Sequence, residues 1–560
     1  MKNSKESREE ILNKIKNMSD DELVDLYLKS IENQEQLAYV IEQLKLRNKS
    51  QFGSKSEIVS PDQLCLDIFN EVEYINDNKI EEDDDEKEDK TTSSKPRAKK
   101  KRLEDSNLPE VIEHHDIEDK TCKACGCELQ ELAPVVKKEL VYIPGKYFIK
   151  KHIIHKYTCK KCNEENDDMV IVSGDDPVER LVDDSIVTPS VVANIAVSKF
   201  VDGVPLYRQE ADNFRKKIFI SRQTMSNWLM KVDQVYLNFL VQLMLADLRK
   251  QDIIHMDETT HKIIEFMKEG RQNSYEWCAC TGKYADKQIF LYFAKESREN
   301  KHARDIIGPD FKGYILSDGW DSYHKLDEED ENITNCGCWV HALRKLKEAA
   351  ESYPSHEKFN KIKGKEEKEL FLAEHPMYGN IWNMIAKIDK LFMLEKKITD
   401  NDLEAIRKIR EEESSDIVND IFDSSKKLDG DYPPKSHAGS AITYLLNEEK
   451  YLRNFLKDPR IELSNNRAER DLIKNFVLSR KNFLFSNTNS GAQTSSNYMS
   501  IIRTAMMNGL DPEKYLTWVL DEMKHINILT DEAIAPLLPY SPTIPQEVKA
   551  KGSNKDYRKK

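Results

Sequence analysis

DIIHMDETTHKI, at residues 252–263, begins as an apolar strand and then reaches an acid, Asp257. GYILSDGWDSY, at residues 313–323, repeats this arrangement and places Asp318 at the end of its apolar run. Two further strand-like stretches, YEWCACTG and KQIFLYFAK, lie between them, followed by the helical stretch SRENKHARDII. NITNCGCWVHALRKLKEA then adds a short fifth strand and a helix. The predicted order is β-β-β-α-β, then a helix or loop, then β-α.

This order is typical of a ribonuclease H-like sheet, in which the first and fourth strands are neighbours at the centre. Asp257 and Asp318 would then point at one metal position. The stretch ELSNNRAERDLIKNFVLSRKN, at residues 462–482, predicts a later helix packed on that sheet. Ser464 or Asn465 would cap it, and Glu469 falls early in it as the third acid. Its apolar face is Leu472, Ile473 and Phe476. The basic residues expected to surround the acid and contact phosphates are Arg467, Arg470, Lys474, Arg480 and Lys481.

Three carboxylates suit Mg²⁺ or Mn²⁺, because hard cations take oxygen ligands and keep several waters. Two such ions about 4 Å apart activate a water or a 3′-hydroxyl and stabilise the leaving oxygen of a phosphodiester. Glu258 and Asp321 compete for these roles, and we expect them to face away or to support the ligands from outside. His341 either reaches the site as a phosphate or base contact or serves the structure. For Cys278, Cys280, Cys336 and Cys338 we favour buried thiols over a second metal site.

Two CxxC pairs, Cys122 with Cys125 and Cys159 with Cys162, predict a four-cysteine Zn²⁺ site. VVKKELVYIP and KYFIKKHIIHKYTC lie between the pairs and read as a hairpin, as in a zinc ribbon. Cys127, His152 and His155 are spare donors nearby. Unpaired structural cysteines or a redox pair are the alternatives.

Residues 188–231 contain three short helices that indicate a helix-turn-helix. Thr188 and Pro189 suit the start of the first helix, and Ser221 suits the cap of the last. The last helix offers Arg222, Gln223 and Asn227 to DNA. Met225 and Leu229 should face inward, and we favour the core for Trp228. An ordinary small helical bundle shares this pattern.

The chain has 560 residues and a net charge of −14, which by itself argues against DNA binding. However, residues 81–89 alone contribute −7, whereas residues 136–161 carry +7 and residues 199–231 carry +4. Local charge decides where phosphates bind. The helical residues 9–48 predict either a short coiled coil or an ordinary amphipathic helix. With neither a long apolar segment nor a secretory signal, we expect a cytoplasmic protein without a membrane partner.

Together these motifs resemble transposases of the insertion-sequence-66 family, over about residues 35–540. FGSKSEIVSPDQLCLDIFNE, VSKFVDGVPLYRQE, HMDETTH, SDGWDSYH, GCWVHALRK, NNRAERDLI, SRKNFLF and NGLDPEKYL follow the order of that family. The resemblance implies a DDE-type transposase with catalytic residues Asp257, Asp318 and Glu469 and zinc ligands Cys122, Cys125, Cys159 and Cys162. The chain departs from the family pattern at Asp321, where we expect a small residue, in the tail LLPYSP, which matches the family's ending only loosely, and in the long acidic linker.

The resemblance further implies cleavage and strand transfer on double-stranded DNA, with terminal inverted repeats and target DNA as partners. It also implies a homo-oligomer, small accessory proteins of the same element, and association with the nucleoid when DNA is bound. A zinc-containing DNA-binding regulator with an inactive catalytic fold and a structure-specific nuclease of the same fold are the alternatives.

The predicted class is a multidomain α+β protein whose ribonuclease H-like α/β domain carries a helical insertion. The predicted parts are an N-terminal helix at 1–75, a disordered charged linker at 76–107, a zinc-ribbon-like module at 108–172, a helix-turn-helix-like domain at 173–247, the catalytic domain at 248–354 and 441–524, its helical insertion at 355–440, and a C-terminal tail at 525–560.

Overall fold

The computed structural model describes residues 179–550, apart from 184, 272, 397 and 399–401, together with residues 145, 147–149, 156–158 and 171–173. These residues fall into two compact units, one ending at Val178 and the other beginning at Glu179. The predicted coiled coil, the charged linker, the four zinc-binding cysteines and the spare donors Cys127, His152 and His155 lie outside the described residues.

The first unit contains one described pair of strands. β1 (Lys156–Thr158) pairs antiparallel with β2 (Ile171–Ser173), so that Lys156 lies opposite Ser173. This described partner of β1 follows the second CxxC pair, and the predicted partner at residues 135–144 lies outside the described residues. Cys159 and Cys162 fall in the segment that joins the two strands.

The second unit is built around a five-stranded sheet. Its strands are β3 (Ile253–Thr260), β4 (Tyr275–Thr281), β5 (Phe290–Lys295), β6 (Gly313–Ser317) and β7 (Ile333–Gly337). They lie in the order β5-β4-β3-β6-β7. β4 is antiparallel to both β3 and β5, whereas β6 is parallel to β3 and β7 is parallel to β6. All five strands occur where the sequence predicted them, and β3 and β6 are the predicted neighbours.

Helices precede the sheet and separate its strands. They are α1 (Pro189–Phe200), α2 (Leu206–Arg215), α3 (Arg222–Val232), α4 (Asn238–Leu248), α5 (Ile264–Lys268), α6 (Asn300–Ile307), α7 (Asp321–Glu329) and α8 (Trp339–Ser352), with a π-helical turn at Asp233–Leu237 between α3 and α4. Met225, Leu229 and Met244 join the same hydrophobic core as Trp277 and Phe290 of the sheet. The described helices of the predicted domain at 173–247 thus have no core of their own, because their apolar faces are buried against the sheet and the later helices.

The insertion is helical, as predicted. Its helices are α9 (His356–Lys361), α10 (Lys365–Glu374), α11 (Pro376–Lys396), α12 (Leu403–Ile409), α13 (Ser415–Lys427) and α14 (His437–Leu452), with a π-helical turn at Arg410–Ser414 and a 3₁₀ turn at Asn454–Lys457. α14 crosses the predicted boundary at residue 440, because Ile442 and Leu445 pack in the core of the insertion with Trp339. Both α14 and α8 belong to this second core.

The chain then returns to the sheet. Its last elements are α15 (Asn466–Ala468), a π-helical turn (Glu469–Ile473), α16 (Lys474–Phe483), α17 (Asn489–Met507), α18 (Pro512–Met523), α19 (Asp531–Ile534) and 3₁₀ turns at Ala535–Leu537 and Gln546–Val548. Residues 525–550 were predicted to be a tail, but Leu537, Leu538, Ile544 and Val548 are buried in the first core. Their apolar side chains explain the difference. No helix in the described part of the chain is long and apolar enough to span a membrane.

Candidate active site

Asp257 lies in β3, and Asp318 is the first residue after β6, the neighbouring parallel strand. The β3–β6 ladder ends with His255 opposite Leu316, and each aspartate lies two residues beyond its member of that pair. Since side chains alternate between the faces of a strand, both carboxylates belong to the same face. The backbone N–H of Glu258 donates to Asp257 Oδ1 at 2.8 Å, and that of Trp320 donates to Asp318 Oδ1 at 3.2 Å. These bonds restrict both carboxyl groups.

Glu469 comes from the helical segment that covers this face. It is the first residue of the π-helical turn Glu469–Ile473, whose neighbours Leu472 and Phe476 are buried as predicted. Single π turns inside helices occur often at functional sites, and the sequence did not predict this one. Glu469 is 4% exposed, and its Oε2 lies 3.5 Å from Arg344 Nη2 of α8. The carboxylate is therefore held inside the molecule.

Asn465 joins the segment that carries Glu469 to the strand that carries Asp257. Its fully buried side chain donates from Nδ2 to the carbonyl of Met256 at 2.8 Å, and its Oδ1 lies 3.2 Å from His255 Nδ1. Asn465 occupies the N-cap position that we predicted for it, but its side chain makes no capping hydrogen bond. The predicted capping hydrogen bond is therefore absent, because the Asn465 amide forms tertiary hydrogen bonds instead.

Burial and mutual repulsion disfavour negative charge on the aspartates. Burial raises the pKa of Asp257 well above its ordinary value, and the charges of Glu469 and Asp318 raise it further. Burial also raises the pKa of Asp318 to about 7, with the charge of Glu258 adding to the effect and the Arg298 guanidinium opposing it. Each of the three predicted acids thus lies within the electrostatic reach of the others. Their oxygen donors fit a hard divalent cation, which would relieve the repulsion between them.

Glu258 faces the opposite side of the sheet from Asp257, as expected for a neighbouring residue in a strand. Its buried carboxylate pairs with Arg298 and accepts a hydrogen bond from the Tyr323 hydroxyl. Arg298 Nη2 also lies 3.6 Å from Asp318 Oδ2, and the guanidinium stacks 3.9 Å from the centre of the Trp320 ring. Sequence reasoning missed Arg298, because SRENKHARDII was analysed only as a helix.

Of the other predicted candidates near the three acids, Asp321 faces solvent, whereas His341 contacts Glu469. Asp321 is exposed at the first residue of α7. His341 Nε2 lies 3.3 Å from Glu469 Oε1, so His341 does reach the site. Cys338, His341 and Glu469 each present a ligand atom, and these atoms lie within 4.8 Å of one another. Burial, followed by the charge of Glu469, raises the pKa of the Cys338 thiol to about 12.

Cys278, Cys280 and Cys336 are free and buried. The first two lie on β4 and the third on β7, and β3 and β6 separate these strands. That separation is the reason we had favoured buried thiols.

The basic side chains of the Glu469 segment play two different parts. Arg467 Nε donates to the carbonyl of Thr281 at 2.7 Å, and Arg480 Nη1 donates to Thr260 Oγ1 at 2.6 Å. These two arginines fasten the segment to the sheet, which differs from the predicted ring of phosphate contacts around Glu469. Of the others, Arg470 and Lys481 are exposed and Lys474 is half-buried.

The helix-turn-helix candidate consists of α2, a turn and α3. Ser221 caps α3 by accepting from the Thr224 N–H at 3.0 Å, as predicted. Gln223 and Asn227 are exposed and bonded to each other at 2.9 Å. The backbone N–H of the exposed Arg222 donates to Glu210 Oε1 at 3.0 Å. This surface therefore offers amide and guanidinium groups to solvent.

The inward side of α3 matches the prediction. Met225 and Leu229 are buried, and Trp228 packs against the core. The sequence did not predict that Phe214 and Phe219, on either side of the turn, would be exposed with their rings edge to face at 5.6 Å.

Three family models match the chain. The model described as "Transposase IS66 family" matches residues 184–494, which is more than half of the chain and includes Asp257, Asp318 and Glu469. The model of the "zinc-finger binding domain of transposase IS66" matches residues 119–163, which contain both CxxC pairs. The model "Transposase C of IS166 homeodomain" matches residues 41–117.

Several proteins of Sinorhizobium fredii (strain NBRC 101917 / NGR234) are similar to the chain. Uncharacterized protein y4qI is 28% identical over 351 residues, which cover 61% of this chain and 60% of y4qI. Uncharacterized protein y4jD is 25% identical over 433 residues, which cover 74% of this chain and 78% of y4jD. Their names assign no activity.

Proposed function

Because this chain belongs to the transposase IS66 family, we propose that it cuts DNA at the ends of a mobile element and joins those ends to target DNA. The observation that carries the proposal is the position of Asp257 in β3 and of Asp318 directly after the adjacent parallel strand β6, with Glu469 brought to them by a covering helix. Repulsion among three neighbouring carboxylates destabilises the fold, so packing alone does not explain why they lie together. A divalent-metal site does explain it, because the cation needs all three as ligands.

We further propose that residues 248–354 and 441–524 form a ribonuclease H-like domain interrupted by the insertion at 355–440. The strand order β5-β4-β3-β6-β7, with three antiparallel strands followed by two parallel ones, supports this assignment. Asp257 then lies in the first strand of the sheet, Asp318 follows the fourth, and Glu469 lies in a helix after the insertion.

Asp257, Asp318 and Glu469 would hold Mg²⁺ or Mn²⁺. When bound, a pair of such ions activates the attacking hydroxyl and stabilises the leaving oxygen. The chain supplies the fixed geometry: backbone N–H groups restrain both aspartates, Arg344 holds one oxygen of Glu469, and Asn465 keeps its segment on β3.

Double-stranded DNA is the proposed partner, which places the site of action in the cytoplasm at the nucleoid. Arg222, Gln223 and Asn227 of α3 would contact the terminal repeats, and Arg470, Lys474 and Lys481 would contact phosphates near the acids, with Arg467 and Arg480 behind them. Cys122, Cys125, Cys159 and Cys162 would hold a structural Zn²⁺. A second copy of the chain and small accessory proteins of the same element complete the proposed assembly.

The test is cleavage of DNA carrying the element's ends, with Mg²⁺ or Mn²⁺ added. We expect Asp257→Asn, Asp318→Asn and Glu469→Gln each to abolish cleavage while end binding persists, because each removes a metal ligand and leaves the DNA-binding surface unchanged. Asp321→Asn is the matched control, since this acid lies three residues from Asp318 and is exposed. Cleavage by Glu469→Gln at the wild-type rate would refute the assignment.

Two further measurements separate the alternatives. A strand-joining assay distinguishes a transposase from a structure-specific nuclease, which cuts but does not insert the end. A regulator with an inactive catalytic fold would bind the ends without cutting them. For the zinc module, Cys159→Ser should lower the zinc retained per chain, and an unchanged zinc content would remove that ligand.

A further inference from the structure

A thiol, an imidazole and a carboxylate meet where β7 passes into α8. Cys338 is the N-cap of α8 and His341 follows one turn later, while Glu469 arrives from the π-helical turn opposite. Their ligand atoms all lie within 4.8 Å of one another. We propose that Cys338, His341 and Glu469 form a site for a borderline-soft divalent cation, Zn²⁺, which shares Glu469 with the oxygen-ligand site.

The distances suit a small tetrahedral ion. Zn²⁺ bonds of about 2.0–2.3 Å imply ligand atoms about 3.3–3.8 Å apart in a tetrahedron. His341 Nε2 and Glu469 Oε1 are already 3.3 Å apart. With a Zn–S bond of about 2.3 Å the sulfur lies about 3.5–3.6 Å from the other two ligand atoms. The thiol therefore needs to approach by at most about 1.3 Å from the 4.8 Å limit, a movement of the size that a side-chain torsion produces.

Arg344 already pairs with Oε2 of Glu469, but the other carboxylate oxygen leaves a place for positive charge. Glu469 Oε1 is buried and takes part in no hydrogen bond among the described residues, although His341 lies within ion-pair distance. That ion pair exists only when the imidazole is protonated. The Cys338 sulfur accepts the backbone N–H of Asn465 at 3.2 Å, a bond that also suits a metal-bound thiolate. A cation between these groups would satisfy the carboxylate oxygen with a neutral imidazole.

The donor set selects the ion. Mg²⁺ takes oxygen ligands and rejects sulfur, whereas Zn²⁺ accepts thiolate, imidazole and carboxylate together. When Zn²⁺ binds, the Cys338 thiol loses its proton to solvent as the Zn–S bond forms, and a water occupies the fourth position.

A consequence follows that rests on the proposed function. Zn²⁺ in this site draws a Glu469 oxygen away from the catalytic ions and inhibits Mg²⁺-dependent cleavage. Zn²⁺ binding at Cys338, His341 and Glu469 would thus inhibit the metal site formed by the three acids.

The test uses the full chain with its CxxC module already loaded with zinc and Co²⁺ as the probe. We expect one further Co²⁺ per chain, with the near-ultraviolet absorption of a thiolate–cobalt bond. Cys338→Ser should lose this ion, whereas Cys336→Ser should keep it. Cys336 is the matched control because it is an equally buried thiol two residues away. The absence of an extra ion, or equal uptake by Cys338→Ser, would overturn the proposal.

Two more variants make the result independent of folding and of the catalytic proposal. If circular dichroism shows that Cys338→Ser is unfolded, the partly exposed His341 gives a second test, and His341→Asn should weaken Co²⁺ binding about tenfold or more. Asp257→Asn should bind Co²⁺ like the wild type, and its loss of the ion would place that ion among the catalytic acids instead. Co²⁺ uptake stands even if the chain never cuts DNA.

Discussion

Arg298 illustrates how a single side chain supports the proposed metal site from the other face of the sheet. Its guanidinium pairs with Glu258, lies 3.6 Å from Asp318 and stacks on Trp320. Glu258 is buried, and its carboxylate contacts this guanidinium and the Tyr323 hydroxyl. The position of Asp318 is therefore tied to a charge pair that no local pattern in the sequence indicates.

Replacing Arg298 with Gln should destabilise the fold. The change leaves the Glu258 carboxylate buried without its cation, which typically costs about 3–5 kcal/mol. Chemical denaturation of Arg298→Gln and Lys301→Gln measures the effect, since the pair of Lys301 with Glu299 is exposed and solvent screens it. Equal losses of unfolding free energy in the two variants would show that the Arg298–Glu258 pair contributes no more to stability than an exposed ion pair does.

At the scale of elements, α17 closes the edge of the sheet. The backbone N–H of Tyr292 on β5 donates to Ser500 Oγ at 2.8 Å, and Thr504 Oγ1 bonds both the N–H and the carbonyl of Phe290 at 3.0 Å. An edge strand otherwise presents unpaired backbone groups to other chains. Hydroxyl side chains spaced four residues apart on one helix here replace a missing sixth strand.

Thr504→Val should lower the free energy of unfolding, because it removes the hydrogen bonds between α17 and the edge strand. It keeps the shape of the side chain but leaves two buried backbone groups of Phe290 unsatisfied, at a cost of about 1–3 kcal/mol each. Thr517→Val is the control, because the Thr517 hydroxyl is exposed and bonds only within its own helix. Denaturation midpoints that shift equally in both variants would rule out the edge contact as the cause.

The π-helical turn between α3 and α4 also carries a buried acid, Asp233. Burial raises its pKa to about 6, although Asn497 and Thr494 donate to its carboxyl group and oppose that shift. The folded chain therefore binds this proton more tightly than the unfolded chain, whose Asp pKa is about 4. The contribution of Asp233 to stability is fully present below pH about 4 and is lost as the pH rises to about 6.

Asp233→Asn should remove this pH dependence. Relative to the wild type, the variant should gain stability between pH about 4 and pH about 6, by up to about 3 kcal/mol. The measurement is the difference in unfolding free energy between the two proteins at several pH values. A difference that stays constant over this range would contradict the raised pKa.

At the scale of the whole molecule, two cores meet at the sheet, and the proposed active site lies where they join. Ile253 and Leu316 belong to the core of the insertion, whereas Ile254 and Ile315 belong to the other core. Glu469 follows the insertion in the chain and returns to the sheet beside β3. α14 packs Tyr444 and Glu448 closely against Gly319, next to Asp318, so that a side chain at Gly319 would have to push them aside by a few tenths of an ångström.

The sequence predicted the strands because they are written locally as apolar runs. The catalytic role of Asp257, Asp318 and Glu469 stays a proposal. The sequence could not predict Arg298, or the amide of Asn465 reaching Met256, because these pairs join residues far apart in the chain. It also treated residues 173–247 and 525–550 as separate pieces. Amphipathic patterns identify a buried face but not the surface that buries it, which in both cases is the core shared with the sheet.

The most direct test of the central claim is to replace Mg²⁺ by Fe²⁺ and map where iron-generated radicals cut the chain. If Asp257, Asp318 and Glu469 hold the ion together, breaks should occur near all three residues at once, and Asp257→Asn should remove them. Mass spectrometry of the fragments identifies the positions. Breaks confined to one of the three segments, or unchanged in Asp257→Asn, would contradict a shared site.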